Sequence, residues 1–235
     1  MVHPAPVFGP LAQWWRHLDA ADVRERITDV NDGIIAVGGM GLGLAGAGVS
    51  ATTSYAVIAI SATAGAMSVA GTKLGESFAD REAQQSTVAQ ERRLLALTPD
   101  EERAELVDWF ESKGVRPDTA RRVADELSAS DALSAQLEIE YGIRTLTSTR
   151  DAWTDGLFSG LAFLLGAALP VLIALVTPLP WRSEWTVAVA CLSLVITSVV
   201  LARRGRSRIW LTILRSLAVG LGTLAASYVL GDWLI

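Results

Sequence analysis

The sequence predicts an all-α membrane protein: a five-span transmembrane helical bundle with a helical, acidic, water-facing domain inserted between spans 2 and 3. Three observations carry this. The 235 residues are 51% hydrophobic and only 19% charged, with a mean hydropathy of +0.35. The apolar residues gather in runs of roughly 20, the length that crosses about 30 Å of hydrocarbon as a helix. Residues 73–150, by contrast, carry 16 Asp or Glu against 11 Lys or Arg, which accounts for the whole formal net charge of −5. The chain then divides into an N-terminal arm (1–30), spans 1 and 2 (31–75), the acidic domain (76–150) and spans 3 to 5 (151–235).

Each span has its own character. Residues 33–50 and 55–72 are uncharged and rich in small residues. Residues 156–177 and 185–202 are longer-chained and more strongly apolar, and 209–231 carry one charge, Arg215. Trp181, Trp185, Trp210 and Trp233 fall at span ends, where aromatic anchors sit. Gly39 and Gly43 form a GxxxG spacing, and Gly65, Gly71 and Gly75 line the second run. Such glycines let helices approach closely, which serves packing within one bundle or a seam between two subunits or along a pore. Short-loop arginines set orientation. The 203–208 loop holds four, the 177–183 loop one and the 50–54 turn none, while the arm holds Arg16, Arg24 and Arg26. This predicts a cytoplasmic N-terminus and acidic domain, with Ile235 outside.

The insert reads as helix throughout. The second span continues past Gly75 to the Thr98-Pro99-Asp100-Glu101 segment, which has the pattern of a helix start with Thr98 as cap. That helix stops at Gly114. Pro117 opens another to about residue 129, and a last one ends at Gly142. Glu101, Glu102, Glu105, Asp108 and Glu111 crowd into this region. Like charges three or four residues apart each disfavour a helix by roughly 0.2–0.5 kcal/mol. Either solvent offsets that repulsion, or a divalent cation held by the carboxylates does.

Several function classes are excluded. Long apolar runs do not stay disordered in water. One cysteine, Cys191, makes no disulfide framework, and His3 and His17 are too few for a Cys/His zinc site. An acidic chain without a basic stripe is no nucleic-acid binder. The first 20 residues have no apolar core of a cleavable signal. No catalytic triad, phosphate loop or dinucleotide motif is present.

The order of short motifs resembles the vacuolar iron transporter family. Asn31-Asp32-Gly33 opens the first span, Ala64-Gly65-Ala66-Met67-Ser68 lies in the second, and Ala79-Asp80-Arg81-Glu82 follows it. Phe163–Ala167 with Pro170 in the third span, and Ser227-Tyr228 with Gly231 in the fifth, are similar too. The resemblance implies a homodimer whose cytoplasmic domain binds metal. It assigns ligand roles to Glu91, Glu102, Glu105 and Glu140, and a pore role to Asp32, although Asp32 at the edge of its run also suits a helix cap. Carboxylate oxygens suit Fe²⁺, Mn²⁺ and Mg²⁺, and also bind Zn²⁺.

The sequence departs from the family pattern at several positions. Leu94 replaces a domain glutamate, and Gln136 and Leu137 stand where methionines can occur. Ser61 and Val69 replace a glutamate and a methionine of the pore. Met67 cannot replace the latter, since two residues turn a helix by about 200°. Lys73 stands at the predicted cytoplasmic mouth, where it repels a cation unless it pairs, Glu76 and Asp80 being candidates.

The resemblance therefore implies a transporter rather than an enzyme. It would move Fe²⁺, or Mn²⁺, out of the cytosol in exchange for protons, with no resident cofactor. Its partners would be the lipid bilayer, divalent metal ions, protons and a second copy of the chain. The cell membrane is the expected site, an organelle membrane the alternative. The rival reading is a metal-binding sensor or scaffold of the same fold that does not transport.

Overall fold

The computed structural model describes residues 20–178 and 181–234, so His3, Arg16, His17 and Ile235 lie outside the described residues. Within it the chain forms seven helices and no strand. They are α1 (Ala20–Gly46), α2 (Ala51–Leu97), α3 (Pro99–Ser112), α4 (Pro117–Tyr141), α5 (Thr149–Val176), α6 (Arg182–Arg204) and α7 (Ile209–Leu234). They form two compact units, Met1–Lys73 with Gly156–Ile235, and Leu74–Asp155.

Among the described residues, four helices are long and apolar enough to cross a membrane: α2, α5, α6 and α7. The fifth expected span lies in α1, whose glycines dilute its apolar character. The helix also starts earlier than its apolar run suggests. Charged residues from Asp22 to Asp32 continue without a break into Gly33, so the arm and the expected span share one helix. Asp32 is therefore twelve residues inside α1 and does not cap it.

In the first unit α1 packs on α6 and α7, and α6 on α7. One core cluster centres on Ile34, Leu42, Leu194 and Leu224, another on Val37, Ile58, Phe163 and Ala167. Small residues set the spacing. A Cβ on Gly166 would stand 1.9 Å from the Val30 carbonyl oxygen, and one on Gly33 2.1 Å from that of Phe163. The α1 and α5 backbones thus meet directly. Likewise Gly43 abuts Ser227, and a Cβ on Gly231 would reach 2.0 Å from the Gly43 oxygen. Of the two readings of the Gly39–Gly43 spacing, packing within one bundle is the one seen. Lipid is as apolar as leucine, so this close backbone approach is what binds such helices. Outside, Leu157, Leu161, Leu165, Leu172 and Leu175 of α5 are exposed, as are Trp181, Trp185, Trp210 and Trp233.

In the second unit α3 packs on α4 through Leu106, Ala120 and Ala124. Thr98 precedes α3, but its side chain does not cap the helix. Its hydroxyl turns back to the Leu94 carbonyl at 3.3 Å. The same Leu94 carbonyl also accepts the Thr98 amide at 2.7 Å, so Thr98 completes the end of α2 rather than starting α3. Pro99 at the first turn begins α3 without a side-chain cap. The two helices expected after Pro117 run as one element, broken at Asp131 (φ −154°, ψ 81°). Asp131 accepts hydrogen bonds from the Ser134 amide (3.1 Å) and hydroxyl (2.7 Å), capping the second half. Gly142 ends it at φ 68°, a left-handed conformation that glycine adopts without strain.

Candidate metal site

Three helices of the second unit contribute to the site. On α2, Val88 and Glu91 lie one turn apart on the buried side, and Glu91 is 0% exposed. On α3, Glu102 and Leu106 repeat this pattern, and Glu102 is 4% exposed. Glu105, on the same helix, is exposed. The second half of α4 buries Ala135, Gln136 and Leu137, and brings Glu140 one turn beyond Gln136.

Glu91 is the unusual member. Both its carboxylate oxygens are buried without a hydrogen-bond donor. Its neighbours are further acids. Burial first, then the adjacent Glu102 carboxyl, then the negative charges of Glu140 and Glu105 push its carboxyl up to about 7. Near neutral pH, Glu91 thus holds either a proton or an uncompensated charge. Glu105 is shifted upward by burial and by Glu102 and Glu140.

Two polar residues support the acids. Gln136 is buried, and its amide nitrogen donates to the Glu102 carbonyl at 2.6 Å and to its carboxylate at 3.3 Å. The Tyr141 hydroxyl is pushed up to about 12 by burial, by its hydrogen bond to Glu140, and by the charges of Glu140, Glu91 and Glu102. The tyrosine stays protonated and donates. Gln136 appeared in the sequence only as a missing methionine, and Tyr141 only as a helix end. Four residues after Gln136 comes Glu140, a helical spacing that could have signalled a shared face.

The structure thus gathers Glu91, Glu102, Glu105 and Glu140 into one electrostatic neighbourhood. Among the described residues, however, no three His, Cys, Asp or Glu side chains already stand as a coordination group. The glutamates are assembled but not closed on a common point.

Asp32 belongs to the other unit. It is exposed, and so are Ala36 and Met40 at four-residue intervals along α1. A thioether therefore shares a helix face with the carboxylate, a relation the spacing held but the motif comparison did not use. Beside Asp32, Asn31 accepts a hydrogen bond from Thr197 at 2.7 Å. A turn below, Asp29 lies 3.7 Å from Arg26, whose guanidinium also contacts Ser159. Lys73 pairs with Glu25 across α1 and α2. On α2, Val69, where the resemblance expected a pore ligand, packs against the core, and Met67 is exposed.

The VIT family profile matches residues 23–232. A protein of Acanthamoeba castellanii named "Vacuolar iron transporter" is 28% identical over 163 residues, which make up 68% of this chain and 58% of that protein. The chain thus spans less than two thirds of that relative's length.

Proposed function

The chain belongs to the VIT family, and from that premise we propose that it is a membrane transporter for a divalent metal ion. The proposed cargo is Fe²⁺, with Mn²⁺ as the second candidate, carried out of the cytosol against protons. The proposed topology has five spans, α1 supplying the first, with residues 76–150 cytoplasmic and a homodimer as the working unit.

The observation that carries this reading is Glu91, fully buried with no donor to either oxygen. A buried carboxylate without a partner is costly. It is tolerated where a cation or a proton fills the gap. Glu102, Glu105 and Glu140 would complete an oxygen-rich, hard-donor set, suited to Mn²⁺ and Fe²⁺. Gln136 would hold Glu102, and the Tyr141 hydroxyl would hold Glu140. In this scheme the cluster collects the ion in exchange for the proton held by the raised Glu91 carboxyl. Asp32 then receives the ion at the mouth of the membrane path, with Met40 on the same α1 face as a softer donor beyond it.

A second reading has its own observation. Ser61 and Val69 supply neither a carboxylate nor a thioether on α2, and Val69 is committed to packing. A membrane-anchored metal sensor or scaffold would need no such ligands. Metal uptake into proteoliposomes separates the two. Fe²⁺, Mn²⁺, Co²⁺ and Zn²⁺ should be compared with and without a pH gradient. Saturable, gradient-dependent uptake supports transport; binding without uptake supports the scaffold.

A further inference from the structure

One end of the membrane unit is strongly basic, in a chain whose net charge is negative. The α6–α7 turn carries Arg203, Arg204, Arg206 and Arg208. Beside it a cavity of about 330 Å³ is lined by Arg24 of α1, Arg215 of α7, and the hydroxyl residues Ser207, Thr212 and Ser216. No Asp or Glu lines it. Among the described residues, none of Arg24, Arg203, Arg206, Arg208 and Arg215 forms an ion pair.

The orientation rule accounts for arginines in a loop. It does not account for Arg215, which lies six residues inside an apolar helix. A charge within a span is costly and ordinarily finds a counter-charge. Thr212, Arg215 and Ser216 occupy positions i, i+3 and i+4 and so share one face of α7. The Ser207 and Thr212 hydroxyls are 3.2 Å apart. The cavity lies near the N-terminal end of α7, the positive end of a 26-residue helix dipole. Guanidinium pairs, hydroxyls and a helix N-terminus together make a receptor for a phosphate group. Trp210 is exposed within the same turn, a residue type that favours the headgroup level of a bilayer.

We propose that this cavity binds the phosphate of an anionic phospholipid, held by Arg24 and Arg215, with the Ser216 hydroxyl beside them. The lipid supplies the counter-charge that Arg215 lacks and fastens α1 to the α6–α7 turn. The site uses none of the residues assigned to metal, so it stands whatever the cargo is.

The test uses the full-length protein in neutral detergent. Short-chain phosphatidylglycerol is titrated while the melting temperature is followed, with short-chain phosphatidylcholine and inorganic phosphate in parallel. Phosphatidylglycerol should stabilise the wild type, and the other two should not at equal concentration. The Arg24→Gln/Arg215→Gln double variant should need on the order of 30-fold more lipid, at about 1 kcal/mol per arginine near a charged surface. The Arg24→Lys/Arg215→Lys variant should retain most of the response, and the charge-matched Arg122→Gln/Arg150→Gln variant all of it. An equal response to phosphatidylcholine, or an unchanged titration in the double glutamine variant, would overturn the site. An equal response to inorganic phosphate would overturn the lipid as its source.

Discussion

The Lys73 ammonium lies 2.6 Å from a carboxylate oxygen of Glu25, joining α2 to α1. Glu25 was not among the neighbours on α2 that the sequence suggested as partners, Glu76 and Asp80. A residue 48 positions earlier reaches Lys73 because α1 and α2 run side by side. The pair changes the expected effect of Lys73. Alone, it repels a divalent ion at the proposed mouth. Paired, the repulsion is largely cancelled.

Charge reversal follows from this. Glu25→Gln removes one carboxylate from Lys73 and should lower metal uptake. Lys73→Glu should raise it, since two carboxylates then face the ion. The swap Glu25→Lys/Lys73→Glu restores the pair and should return uptake to near the wild-type level. Stability should change by no more than about 1 kcal/mol in each case, because the pair is partly exposed. If all three variants transport like the wild type, the pair only joins two helices.

Glu91 gives the pH dependence. Its carboxyl is raised to about 7 in the folded protein, against an ordinary value of 4.5. Below the ordinary value both folded and unfolded forms hold the proton, and nothing is lost. As pH rises from about 4.5 to 7 the unfolded chain releases its proton first, so the metal-free domain loses stability over that interval. Glu91→Gln should flatten this slope. Metal should bind more tightly as pH rises toward 7, because it displaces the proton. Melting curves at pH 5, 6 and 7.5, with and without Mn²⁺, test both halves. A wild-type slope equal to that of Glu91→Gln would show that Glu91 does not titrate there.

The acidic cluster separates Glu102 from Glu105. Glu105 is exposed among like charges, so Glu105→Ala without metal should be neutral or stabilising by a few tenths of a kcal/mol. Glu102 is buried and accepts the Gln136 amide. Glu102→Ala removes that contact and opens a small void, and should cost roughly 1–3 kcal/mol. With Mn²⁺ present both variants should lose the stabilisation that the bound ion gives the wild type. A solvated acidic face would instead show no metal-dependent shift in any of the three proteins.

Periodicity and capping patterns made much of this fold legible. The run-on of α2 past Gly75 could be read because no proline or glycine interrupts residues 76–97. Gly142 announced the end of α4. Thr98 misled, because its pattern for a helix start coincided with the end of α2, and the hydroxyl served the earlier helix. Asp32 misled differently. Hydropathy marks where a chain turns apolar, not where its helix begins, and α1 begins twelve residues earlier. The acids of the site were visible as a dense run only on α3. That Glu91 is sealed away while Glu105 is exposed depends on how α2, α3 and α4 pack, which spacing along one helix does not contain.

Asp32→Asn is the sharpest test of the membrane path. Asparagine keeps the shape of the side chain, and α1 already extends from Ala20 to Gly46, so no cap is lost. The residue is also exposed, and no packing is disturbed. Stability should therefore remain within about 0.5 kcal/mol of the wild type. Metal binding by Glu91, Glu102, Glu105 and Glu140 should persist, because those residues belong to the other unit. Transport should fall by a hundredfold or so, about 3 kcal/mol, since the amide neither balances the ion's charge nor carries a proton. Met40→Leu gives a graded comparison on the same face. Losing a thioether while keeping bulk and a carboxylate should weaken Fe²⁺ uptake more than Mg²⁺ uptake, because the softer ion gains more from sulfur. Should Asp32→Asn carry metal at the wild-type rate across a range of concentrations, Asp32 leaves the path, and the scaffold reading explains its exposed position better.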